Sequence, residues 1–109
     1  MAALALASGN AFEARMEAYL RESFSAHIGD IKGHALRDRV RDGITSANSH
    51  GLHLEYDVRR YLEHMLIHEW SGQAGDEPPW AREILSSKNM DGTARMDLID
   101  DYSMHVLKK

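Results

Sequence analysis

The chain has 109 residues, 43% of them hydrophobic, with 13 basic and 17 acidic residues and a net charge of −4 at pH 7. That length suits one compact domain, and the acidic balance argues against the dominant positive field of a general nucleic-acid binder. There is no cysteine, which removes disulfides, thiol nucleophiles and cysteine-based zinc sites and fits a reducing cytoplasm; no apolar run reaches the ~18 residues that span a bilayer.

Residues 1–9 are small and apolar and carry no lysine or arginine, so they read as a loose or docking N-terminus in preference to a signal peptide. Asn10 and Glu13 have the spacing of a capping box. From there a helix is expected to about His27, with Phe12, Met16, Tyr19, Leu20, Phe24 and Ile28 on one face and Gly29 as its stop. Asp30 is placed to cap a second helix, Ile31 to Ser49, marked by Leu36, Val40, Ile44 and Ala47. Gly33 and Gly43 weaken that helix by up to ~1 kcal/mol each relative to alanine and are places where it could bend. Its outer face carries Lys32, Arg37, Asp38, Arg39, Arg41 and Asp42, and Gly51 ends it.

Leu54 to Trp70 is the longest apolar pattern in the chain. Leu54, Val58, Tyr61, Leu62, Met65 and Leu66 recur at steps of three and four, which puts them on one face of a helix. Arg59, Arg60, Glu63 and His64 fall off that face and are expected to stay wet. After Trp70, SGQAGDEPP reads as a loop, and Pro78 and Pro79 set up a short helix from about Pro79 to Ser86 with Trp80, Ile84 and Leu85 inward. Asp91 or Thr93 can cap a last helix whose inner stripe is Met96, Ile99, Tyr102, Ser103 and Val106, with Leu107 beside it. No strand alternation or internal repeat is visible. The expectation is an all-α, single-domain bundle over residues 1–109, of about five helices, four long and one short.

The candidate chemistry is sparse. His64 and His68 lie one helical turn apart and could share a metal, but a metalloprotease would need glutamate directly after the first histidine, where Met65 stands. Flanking polar residues at a helix border is the better reading of that pair. His50 and His53 bracket a turn with no recognisable nucleophile motif near them. Arg37, Arg39 and Arg41, with Arg59 and Arg60, could form a basic ridge for a DNA-binding regulator, but Asp38 and Asp42 interrupt it. Asp97, Asp100 and Asp101 form an acidic patch better suited to a basic partner than to acid–base catalysis, with Asp97 and Asp101 on the outer face of the last helix. Trp70 and Trp80 bracket the loop; they either close the core beneath it or expose an anchor, since tryptophan dominates binding hot spots. Phosphate loops, nucleophile elbows and dinucleotide fingerprints are absent, so no enzyme activity or cofactor is expected.

Gly51-Leu52, then Val58 and Tyr61, a Gly/Pro/Asp loop, Pro79-Trp80-Ala81, Ile84-Leu85 and Arg95-Met96 follow one another in an order that resembles small helical proteins and protein tails encoded beside bacterial type VI secretion effectors. The resemblance covers Gly51 to Leu107. It implies a cytoplasmic protein that binds another protein: an adaptor or chaperone loading a secreted effector or toxin, or an immunity protein blocking one. The expected contact surface is Trp70, Asp76, Glu77 and Trp80 together with Asp97, Asp100 and Asp101. No membrane contact is expected, and the short helices leave room for a homodimer.

Overall fold

The computed structural model describes residues 9–29, 31, 33–70 and 77–107. In chain order the elements are α1 (Gly9–Ser23), α2 (Ser25–Ile28), α3 (Gly33–Ser49), α4 (Glu55–Ile67), α5 (Pro79–Leu85) and α6 (Gly92–Tyr102), followed by a π-helical turn over Ser103–Leu107. The protein is all-α, with no strand among the described residues. Among the described residues six helices and a π turn stand where about five helices were expected, because the first and last helices each change form partway along.

The reason for the first change lies in the spacing. Phe12, Met16, Leu20, Phe24 and Ile28 are all four apart, and each such step overshoots a turn by about 40°. By Ile28 a straight helix would have swung its stripe about 160° away from Phe12. Phe24 leaves helical geometry at φ −125° and ψ 34°, which re-aims α2, so that Ile28 is buried with Phe12 and Leu20. Gly29, at φ 56°, then closes α2. The start of α1 also differs from expectation. Asn10 lies inside the helix, and Glu13 pairs with Arg37 and Arg41 across the α1–α3 seam instead of completing a capping box. Asp30 lies outside the described residues.

The core gathers Phe12, Leu20, Leu36, Val40, Ala47, Leu52, Val58, Leu62, Met65, Leu85, Met96 and Ile99, all buried. α3 runs through Gly43 without a break. A Cβ there would lie 2.5 Å from Leu62 Cδ2 and 2.9 Å from Met65 Sδ, so the glycine sets how closely α3 approaches α4. Two helices end alike. Gly51 (φ 84°) and Glu69 (φ 58°) both take left-handed geometry, and the next residue's N–H reaches back five residues, Leu52 to Ala47 and Trp70 to Met65. The second turn folds Trp70 back onto the core at 3% exposure. Asp91 caps α6 by accepting the Ala94 N–H at 2.9 Å.

α4 is more enclosed than its apolar stripe suggests. Arg60 and His64, expected to stay wet, are 5% and 7% exposed, because α6 covers the side of α4 that carries them. The side chains of Val106 and Leu107 lie outside the described ones. No helix among the described residues is long and apolar enough to cross a membrane.

Candidate functional site

The covered side of α4 is a polar stripe: Asp57, Arg60, His64 and His68, spaced three, four and four apart. α6 answers it rung by rung. Thr93 Oγ1 donates to Asp57 Oδ2 at 2.8 Å. Arg60 Nη1 and Nη2 donate to Asp97 Oδ1 at 2.7 and 2.8 Å, Nη1 reaches Asp100 Oδ2 at 3.3 Å, and Nη2 reaches the Thr93 carbonyl at 3.1 Å. His64 Nε2 is 2.6 Å from Asp100 Oδ1, and His68 Nε2 is 3.0 Å from Ser103 Oγ. Both sets of numbers climb together, so α4 and α6 run parallel along the ladder.

The imidazoles of His64 and His68 stack, with centroids 5.5 Å apart and planes 1° from parallel, and Trp70 lies against both. Burial, and then the neighbouring His64, push the His68 pKa below its ordinary value. His68 is therefore a neutral ring at neutral pH. The two Nε2 atoms are committed to Asp100 and Ser103, and among the described residues no group of three or more histidine or acidic side chains is disposed to hold a metal ion.

Outside this ladder lies an open groove of about 440 Å³ between the C-terminal half of α4 and the start of the π turn. Its walls are Glu63, His64 and Ile67 on one side and Asp100, Ser103 and Met104 on the other, with His68 at one end. Ile67, Leu98 and Met104 are 39%, 42% and 63% exposed. Two of the four large apolar side chains exposed among the described residues, Ile67 and Met104, therefore line this groove, and Leu98 lies in a separate hollow on the α5 side of α6.

The other side of α4 meets Glu77, whose side chain is fully buried. Its Oε2 accepts from Tyr61 OH and from Ser46 Oγ at 3.2 Å, and lies 3.0 Å from His50 Nε2. Ser46 Oγ is 2.9 Å from Tyr61 OH. Burial alone would raise the carboxyl pKa; hydrogen bonds from His50, Tyr61 and the Glu77 backbone overcome it and hold the group at about 2, below its ordinary 4.5.

The residues expected at a contact surface therefore divide. Trp70 and Glu77 are each 3% exposed and serve the interior. Trp80 is half-buried and stacks on Tyr102 at 4.6 Å and 11°. Asp97, Asp100 and Asp101 stay open to water, their side chains 66%, 42% and 66% exposed. Asp76 lies outside the described residues. The basic ridge is engaged throughout: Arg37 with Glu13 and Glu17, Arg39 with the Trp70 carbonyl, Arg41 with Glu13 and Asp38, Arg59 with Glu63, and Arg60 in the ladder. Sequence reasoning missed the ladder. Its signal was two matched series, Asp57-Arg60-His64-His68 and Thr93-Asp97-Asp100-Ser103, both at helical spacing and complementary rung by rung.

No family model matches the chain, and neither a curated protein nor a solved structure matches it.

Proposed function

We propose that this protein is a non-catalytic module that binds another protein, acting in the delivery or neutralisation of a secreted bacterial effector, through the face built by α6 with the C-terminal end of α4. One observation carries the reading: Ile67 and Met104 are left exposed across one groove, among carboxylates, while the other large apolar groups of the described residues, Leu98 and Tyr56 apart, are covered. Apolar contact area within a charged margin is the usual anatomy of a protein interface. The effector context comes from the resemblance of Gly51 to Leu107. The chemistry of the histidine ladder fits holding two helices together, since each Nε2 is tied to a partner.

Affinity-tagged protein purified from its native host tests the reading, with Met104→Glu run in parallel. The expected outcome is one co-purifying protein of effector or toxin type, retained by the wild type and lost by the variant while its circular dichroism is unchanged. Equal retention by both, or no retained protein, overturns it.

A further inference from the structure

We propose that the groove between α4 and the π turn receives an amphipathic helix of the partner whose polar side carries lysine or arginine. This rests on the protein-binding reading above and adds the chemistry of what is bound.

The groove is the largest of three adjoining hollows. A second, of about 260 Å³, shares Asp100 and Met104 with it, and a third, of about 350 Å³, shares Asp101 with the second. Together they make a band that crosses α6 from α4 to α5. The band's carboxylates are Glu63, Glu83, Asp97, Asp100 and Asp101. None of the described residues lining it is a lysine or arginine. The guanidinium groups facing these acids are Arg60 from beneath and Arg59 beside Glu63; the imidazoles of His64 and His105 meet Asp100 and Asp101, His68 meets Ser103, and Tyr19 OH reaches Glu63. Carboxylates outnumber guanidinium groups here, so the band is negative whenever its histidines are neutral.

Charge alone would describe only a solvated surface. One further feature points to an occupant. Ile67 and Met104 face each other across the groove as exposed apolar walls, with Leu98 further along the band. The groove takes Asp100, Ser103 and Met104 from the C-terminal end of α6 and the π turn, and the second hollow continues it over α6 to Asp97 and Asp101. A helix laid there would place apolar anchors on Ile67 and Met104 and its cations on Asp97, Asp101 and Glu63, the helix-in-groove mode of recognition.

The test uses two peptides of about 14 residues, long enough to favour a helix once docked. Both carry leucine at helical spacing; one has lysine on its polar side and the other glutamate. Titration is followed by tryptophan fluorescence, since Trp80 and Trp70 adjoin the band, for the wild type, Met104→Glu and Asp101→Lys. The lysine peptide is expected to bind at least about tenfold more tightly than the glutamate peptide, weaken as salt rises, and lose about tenfold with either variant. Both substituted side chains are more than half exposed, so folding is not at stake. Equal binding of the two peptides, no binding of either, or binding indifferent to both variants overturns the inference. A co-purified partner that Met104→Glu releases, but whose contact segment has no lysine or arginine, also overturns it and leaves the protein-binding reading standing.

Discussion

On one side of α4, Tyr61 meets a single carboxylate, Glu77, carried by the chain that follows the helix. On the other side, Arg60 and His64 meet Asp97 and Asp100 from α6. In the first cluster the charge is the acid, its side chain fully buried, and its ligands are a phenol, a hydroxyl and an imidazole. In the second the buried charge is the guanidinium; the two acids within hydrogen-bond distance of it, Asp97 and Asp100, remain open to water, and only Asp57, at 4.0 Å, is buried with it. The difference decides what each can do. A carboxylate enclosed by donors rigidifies its surroundings and is closed to a partner. A buried cation answered by half-solvated acids leaves those acids able to meet a second set of charges.

Substitutions should separate the two clusters, and Glu77→Ala is expected to have the largest effect. It leaves Tyr61 OH and Ser46 Oγ without their shared acceptor in the interior and should cost about 3 kcal/mol in urea unfolding. Glu77→Gln keeps the shape and should cost less.

Next comes Gly43→Ala, which drives a methyl into Leu62 and Met65 and loosens the approach that brings Ser46 to Tyr61. About 2 kcal/mol of destabilisation is expected, read in the same unfolding experiment. Arg60→Met should cost about 2 kcal/mol, less than Glu77→Ala, because Asp97 and Asp100 can turn to water once the guanidinium is gone and only the buried Asp57, 4.0 Å away, is left without its cation. A larger loss for Arg60→Met than for Glu77→Ala would break the comparison.

The pH dependence sharpens it. The Glu77 carboxyl titrates at about 2 in the folded protein against an ordinary 4.5. The unfolded chain therefore takes up that proton first. The stabilisation is complete above pH 4.5 and is lost as pH falls from there toward 2. Acid unfolding curves of wild type and Glu77→Gln should accordingly converge over that interval. His68 acts with the same sign at higher pH, since its folded pKa lies below its ordinary 6.5 and acid again favours the unfolded chain.

The smallest expected effect is a gain. Glu69 occupies the left-handed position that Gly51 fills at the end of α3. Glu69→Gly should raise stability by up to about 1 kcal/mol in thermal or urea unfolding, while keeping the turn that returns Trp70 between the two clusters.

Much of this architecture was legible in advance, and the gaps have physical causes. The stripe Val58, Tyr61, Leu62, Met65 and Leu66 is buried as its spacing requires, because apolar periodicity reports one core-facing side of a helix. The same signal is blind to a second covered side made of charges, which is why Arg60 and His64 read as wet. The break at Phe24 was missed because a run of four-residue steps resembles a stripe locally and drifts only over several turns. Glu77 looked like one more acid in a polar loop; only the fold brings Ser46, His50 and Tyr61 around it. The acidic character of α6 was readable from Asp97, Asp100 and Asp101 alone, whereas the exposure of Met104 needed the π turn to be seen.

Methionine-methyl NMR with the co-purified partner tests the central claim most directly. Met104 is 63% exposed on the proposed face, and Met96, eight residues earlier on the same helical run, is fully buried beneath it. Adding the partner should shift or broaden the Met104 methyl signal while leaving Met96 close to its free position. A complex that forms with the Met104 methyl unmoved would contradict the account.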